Sequence, residues 1–166
     1  MFDFCAIFIW LSVLLGAQAS LVRSSGKIVA PAPNSIIMPG QPFKFSYISH
    51  ADYSISSYNY TVWLSTKAPS SFTSSGDLFS GHYFGRFSEA NYPGNPNPSN
   101  PPPSLLVMPD FAKGSGGFGA GKTASNVRLH FAVLEEWSDG SPTLGNKFSL
   151  HHNPIVYNAS SHADLI

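Results

Sequence analysis

The chain has 166 residues, nine Lys and Arg, nine Asp and Glu, and one cysteine. This balanced charge, without any run of like charges, disfavours nucleic acid and anionic membrane surfaces as partners. The length suits one domain with an adequate core and no disulfide staples. The only cysteine is Cys5, so no cysteine-based metal site is expected.

The first segment has the pattern of a secretory signal peptide. The apolar run Phe4–Gly16 is shorter than the roughly 20 residues of a membrane span. Residues 17–19 (AQA) match the small-residue pattern of a cleavage site. Cleavage there leaves 166 − 19 = 147 residues with a net charge of 9 − 8 = +1, because Asp3 is removed. We therefore expect a signal peptide over 1–19 and one secreted extracellular domain over 20–166, without a stable membrane anchor.

Alternating segments predict an all-β domain. In Tyr58–Ser65 the residues expected on one face are Tyr58, Tyr60, Val62 and Leu64, opposite Asn59, Thr61, Trp63 and Ser65. The strongest predicted strand is Val127–Glu136, with Val127, Leu129, Phe131 and Val133 on one face. Further strands are expected at Lys27–Ala32, Phe43–Tyr47, Asp77–Phe87 (with a bulge), Lys147–His151 and Ile155–Tyr157.

About seven short strands separated by turns favour a two-sheet sandwich of the immunoglobulin or fibronectin-III type. A closed barrel is the alternative. The stretch Asn91–Thr123 predicts a long Pro/Asn- and Gly-rich crossover loop, because proline lacks a strand donor and glycine packs poorly. We expect Tyr92–Pro103 to lie along the sandwich as an extended strap. Its expected anchors are Leu105, Leu106, Met108 and Phe111.

Two glycine motifs and several titratable residues are the candidates for nucleotide binding, catalysis or metal binding. Residues 116–123 (GGFGAGKT) match the P-loop pattern, and 114–119 matches G-x-G-x-x-G. Neither has the flanking strand and helix that phosphate binding requires, so both are chance matches. Glu135 and Glu136 are strand neighbours and face opposite ways, as do His151 and His152. We therefore expect no catalytic residue, no metal site and no cofactor.

Exposed aromatic side chains are the remaining candidates for binding. Trp63, Tyr92 and Trp137 could form a surface that stacks on sugars or contacts a protein. A strand tryptophan in a sandwich is more often a core anchor, which is the favoured alternative for Trp63. Asn59 and Asn158 begin the N-glycosylation sequons NYT and NAS. Modification of Asn59 would require an exposed face, and Trp63 shares that face.

Several sequence pieces, taken in order, resemble a family. They are Ile36–Phe43 (IIMPGQPF), Tyr58–Leu64 (YNYTVWL), Asn91–Pro96 (NYPGNP), Pro103–Phe111 (PSLLVMPDF), Leu134–Glu136 (LEE) and Ile155–Asn158 (IVYN). Together they resemble small secreted proteins of filamentous, mushroom-forming fungi, similar to the necrosis-inducing secreted effector family. The resemblance implies a compact β-sandwich that, in plant-associated members, binds host immune receptor kinases. It implies no catalytic residues. Such proteins often carry a cysteine pair, at positions that here hold Ser54 and Ser138.

The sequence thus predicts a fungal, effector-like glycoprotein that is secreted, is not an enzyme and binds an extracellular protein partner. The alternative is a cell-wall polysaccharide-binding module that uses exposed aromatic residues.

Overall fold

In the computed structural model the described residues form ten β-strands. The structure describes residues 26–52, 54–69, 81–90, 95–112, 124–140 and 145–159. Within these ranges none of the chain is helical, so no described helix is long and apolar enough to cross a membrane. The strands are β1 (Lys27–Ala30), β2 (Ser35–Ile37), β3 (Pro42–Lys44), β4 (Ser46–Ile48), β5 (Ala51–Asp52), β6 (Ile55–Ser65), β7 (Gly81–Phe87), β8 (Leu105–Val107), β9 (Val127–Ser138) and β10 (Lys147–Tyr157).

Six strands form the main sheet. Its order is β2-β10-β9-β6-β5, and β7 also pairs with β6. The pairs β6–β9 and β9–β10 are antiparallel, whereas β2 runs parallel to β10. The two closing strands expected from the sequence are one continuous strand, β10, with Pro154 inside it. This proline is tolerated where β2 has not yet begun to pair, and its carbonyl accepts a hydrogen bond from the Asn34 N–H (2.7 Å).

Four short strands form a second layer over the main sheet. β1 pairs with β4, and β3 pairs with β8, both antiparallel. The predicted strand Phe43–Tyr47 is interrupted at Phe45, whose N–H donates to the Ser104 carbonyl (3.0 Å). The rings of Phe43 and Phe45 each lie 5.8 Å from that of Phe131 on the main sheet. The two layers therefore share one hydrophobic core, and the all-β prediction is confirmed.

The core contains the residues that alternation had assigned to it on β9. Leu129, Phe131 and Val133 are fully buried. On β6, Tyr60, Val62 and Leu64 are each at most 1% exposed. Tyr58 was assigned to the same face and is instead 44% exposed. The pairing of β6 with β9 shifts between Ser57 and Asn59, and a bulge of this kind reverses the side-chain alternation.

Three of the four residues expected to anchor the crossover in the core are buried. Leu106, Met108 and Phe111 are buried, whereas Leu105 is 52% exposed. Leu105 and Leu106 are neighbours on β8, so only one of them can face the core. The chance P-loop match at 116–123 and residues 91–94, which include the start of the expected strap, lie outside the described residues.

Candidate functional site

The side of the main sheet that faces away from the core carries a cluster of apolar side chains. Cross-strand register places Tyr83, Trp63 and Ala132 in one row and Thr61, Leu134 and Leu150 in the next. The third row pairs Glu136 with Phe148. We call this surface the outer apolar face and define it by Trp63, Tyr83, Leu134, Phe148 and Leu150.

Trp63 and Tyr83 form its most prominent feature. Their rings lie 4.6 Å apart at an interplanar angle of 45°, and the side chains are 40% and 46% exposed. Trp63 is therefore not a core anchor, which corrects the favoured expectation. Trp63 faces outward because side chains alternate along a strand, and its neighbours Val62 and Leu64 point into the core. Each ring shields one side of the other and leaves the remaining surface open to solvent.

Leucine and phenylalanine side chains extend the face beyond this aromatic pair. Leu134 and Leu150 are half-buried, and Phe148 is 60% exposed. An ion pair between Arg86 and Glu136 borders them (3.1 Å). Because both partners are partly exposed, the pair contributes little to stability. The face thus combines aromatic and aliphatic surface with one charged pair.

Trp137 does not belong to this face. It lies on the inner side of the sheet, where its ring stacks on the His50 imidazole (4.4 Å, 3°). Its Nε1–H donates to Oγ of Ser149 (2.7 Å), and the Lys147 ammonium lies 5.2 Å from its ring centre. The structure therefore separates Trp137 from Trp63, with which it was grouped. Tyr92, the third member of that group, lies outside the described residues.

The carboxylate of Glu135 lies at the centre of a buried hydrogen-bond network that was not predicted from the sequence. Glu135 has no exposed surface and accepts hydrogen bonds from the Tyr47 hydroxyl (2.7 Å) and the His50 N–H (2.8 Å). Its Oε2 lies 2.5 Å from Nδ1 of His50. The Gly26 N–H donates to Nε2 of the same ring (3.4 Å), which places the imidazole proton on Nδ1. Three donors therefore converge on one carboxylate.

The network continues through a pair of tyrosines to a second carboxylate. Glu89 accepts hydrogen bonds from the Tyr60 hydroxyl (3.2 Å) and the Ser49 hydroxyl (2.7 Å), and the Tyr47 and Tyr60 rings lie 4.9 Å apart. Burial raises the pKa of both tyrosines, and the carboxylates that accept their hydrogen bonds raise it further. The phenols are therefore protonated donors. The polar groups of this cluster therefore satisfy one another's hydrogen bonds inside the fold.

One signal in the sequence could have revealed this network. Glu135 follows Leu129, Phe131 and Val133 at a spacing of two, so alternation alone assigns it to the core face. A carboxylate in such a position needs buried donors. Its neighbour Glu136 faces outward, as expected from the same alternation.

Two pairs of described histidines lie close together, one on each side of the main sheet: His50 with His151 on the inner side (6.5 Å between ring centres) and His130 with His152 on the outer side. His130 and His152 approach each other on the outer side of β9 and β10, with ring centres 5.3 Å apart. Burial, His152 and Arg128 lower the pKa of His130. Across the described ranges, no group of three or more His, Cys, Asp or Glu side chains is placed to hold a metal ion.

A neutral groove lies at the start of β6, beside the bulge. It has a volume of about 360 Å³ and is lined by hydroxyl and amide side chains together with one aromatic ring: Ser56, Ser57, Tyr58, Asn59, Ser88, Asn95 and Ser99. The bulge that exposes Tyr58 forms one wall, and the described part of the crossover forms another. We call this feature the bulge groove.

Comparison with known proteins gives no relative from which a role could be transferred. No protein-family model matches the chain, and no curated protein or solved structure matches it either.

Proposed function

We propose that the chain is a secreted, non-enzymatic extracellular protein, effector-like in character, that binds a protein partner through the outer apolar face. The observation that carries this proposal is the Trp63–Tyr83 pair, exposed on a sheet face that also carries Leu134, Leu150 and Phe148. Contiguous exposed apolar surface marks interaction sites on soluble proteins. The signal-peptide pattern at 1–19 supports secretion.

The composition of the face favours a protein partner over a sugar. Tryptophan, tyrosine and arginine are the residues that most often dominate the energy of protein interfaces. Here Trp63 and Tyr83 share the face with Leu134, Leu150 and Arg86, a mixture of aromatic, aliphatic and charged groups. Sugar recognition relies on aromatic stacking combined with many hydrogen-bonding side chains, which the aliphatic part of this face does not offer.

The absence of catalysis is part of the proposal. The carboxylate–imidazole pair formed by Glu135 and His50 is buried, and its remaining hydrogen-bonding positions are occupied by Tyr47 and by backbone N–H groups. A structural role accounts for all of these contacts. We also propose that the two layers follow an immunoglobulin or fibronectin-III type of arrangement, supported by the shared core and the mostly antiparallel pairing.

Binding to plant protoplasts, which lack cell walls, tests the proposal against the polysaccharide alternative. We expect saturable binding of the labelled protein that is lost when the protoplasts are treated with protease. Trp63→Ala should weaken this binding by about tenfold or more, as expected for an interface hot spot. The matched control is Val107→Ala, because Val107 is a 59% exposed apolar side chain on β8 in the other layer.

The opposite outcome would support a cell-wall polysaccharide-binding module. In that case the protein would sediment with insoluble chitin, glucan or cellulose, and Trp63→Ala would abolish sedimentation. The open Trp63–Tyr83 pair is the observation in favour of this second function. Binding to polysaccharide with no binding to protoplasts would overturn the protein-partner proposal.

A further inference from the structure

The asparagines of the two sequons differ in their structural roles: the conformation and hydrogen bonds of Asn158 favour an asparagine, whereas those of Asn59 do not. Asn158 has a left-handed backbone (φ 53°), its Nδ2 donates to the Ala124 carbonyl (2.8 Å), and its N–H donates to the Ile37 carbonyl (3.0 Å). Asparagine adopts this conformation more readily than most residues, so the fold accounts for its presence there. Asn59 lies within β6, and its half-buried side chain forms no hydrogen bond with any described residue. The fold does not account for asparagine at position 59.

The third residue of the same sequon also has an unused polar group. Oγ1 of Thr61 is buried and has no hydrogen-bond partner within the described part of the chain. An unpaired buried hydroxyl is costly and rare in native structures. Valine has nearly the same shape and a similar preference for strands, so it would fill the position without that cost. The sequon itself explains the threonine, because acceptor recognition requires a hydroxyl two residues after the asparagine.

The bulge groove offers a surface that suits a neutral sugar. Asn59 lines it, between the exposed ring of Tyr58 and the hydroxyl and amide groups of the opposite walls. N-acetylglucosamine presents hydroxyl and acetamido groups for hydrogen bonds and an apolar ring face for an aromatic side chain. The lining contains no charged side chain, which matches an uncharged ligand.

We propose that Asn59 is N-glycosylated and that the first N-acetylglucosamine units of its glycan lie in the bulge groove against Tyr58. Transfer from a lipid-linked oligosaccharide diphosphate forms a bond between Nδ2 of Asn59 and the anomeric carbon. It breaks the bond from that carbon to the diphosphate, which leaves with the lipid, and the amide loses one proton. The inference rests on the secretion that the proposed function includes, because the donor is met in the secretory pathway.

A glycan in this position leaves the aromatic pair accessible. Asn59 lies four residues before Trp63 on β6, about 13 Å away at roughly 3.3 Å per residue, and beside Glu136 in the third row of the outer apolar face. A glycan held in the bulge groove against Tyr58 therefore lies at the end of that face that carries Phe148, and it leaves Trp63 and Tyr83 free for a partner.

Two conservative substitutions at Thr61 test the modification. The full chain is produced in a eukaryotic secretory host behind a heterologous signal peptide, so that the result does not depend on its own leader. Site-resolved mass spectrometry should find a glycan on Asn59 in the wild type and in Thr61→Ser, and none in Thr61→Val. In unglycosylated protein from bacteria, Thr61→Val should raise Tm by about 2 °C or more, because it removes the unpaired hydroxyl. An unmodified Asn59 in the wild type, or a lower Tm for Thr61→Val, would overturn the proposal.

The rate at which an amidase releases the glycan tests whether the first sugar units are bound in the bulge groove. In the native wild-type glycoprotein we expect release about tenfold slower than in the Tyr58→Ala variant, the factor that one well-packed aromatic contact supplies. Val107→Ala is the control, since it truncates an exposed apolar side chain that lies outside both the groove and the outer apolar face and should leave the rate unchanged. Equal rates for wild type and Tyr58→Ala would show that the glycan projects into solvent. Partner binding is measured separately through Trp63→Ala, so failure of one proposal leaves the other standing.

Discussion

Glu135→Gln is the substitution with the clearest expected effect on stability. Three donors converge on this buried carboxylate, namely the Tyr47 hydroxyl, the His50 N–H and the His50 Nδ1–H. The glutamine oxygen can accept two hydrogen bonds, and its NH₂ group then faces the third donor. Replacing the charge-assisted hydrogen bonds by neutral ones and leaving one buried donor unpaired costs about 2–3 kcal/mol. That is a large part of the roughly 5–15 kcal/mol by which a domain of this kind is stable.

Urea denaturation followed by tryptophan fluorescence measures this effect, because Trp137 stacks directly on His50. The midpoint should fall while the slope of the unfolding free energy against urea stays unchanged. The adjacent Glu136→Gln is the matched control. It removes one partner of the exposed pair with Arg86 and should cost less than about 1 kcal/mol. A loss for Glu135→Gln no larger than for Glu136→Gln would refute the central role of the carboxylate.

Two further predictions concern the same region. In Gly26→Ala the new Cβ would lie 2.0 Å from the Tyr47 hydroxyl and 2.6 Å from Oε2 of Glu135, so we expect a loss of about 1–3 kcal/mol from overpacking. An unchanged urea midpoint would show that the segment before β1 moves aside freely. Burial lowers the pKa of His151 below its ordinary value of about 6.5, so the unfolded chain binds more protons just below that pH. Stability should therefore fall as the pH drops from about 6.5, and less steeply in His151→Gln; identical pH profiles would contradict this assignment.

Local pattern was enough to predict the strands that carry the core. Alternation of apolar residues identified Leu129, Phe131 and Val133, because a strand turns every second side chain to the same side. The same rule was wrong at Tyr58, where the bulge adds one residue to β6. A bulge depends on how two strands pair, so the sequence of one strand does not reveal it. The segments Lys147–His151 and Ile155–Tyr157, predicted as two strands, form the single strand β10, because Pro154 between them lies where β2 has not yet begun to pair.

The sites depended on contacts between distant parts of the chain. The sequence alone supplied the pattern of a signal peptide, the sequons, the all-β pattern and the list of candidate aromatic residues. The tertiary structure decided which of those aromatic residues are exposed, because register places Trp63 beside Tyr83 on the outer apolar face and Trp137 against His50 inside. It also joined Glu135 to Tyr47 and His50, which are 85 or more residues away in sequence. Local pattern sets which way a side chain points within its strand, whereas only the packing of strands and layers determines what that side chain meets.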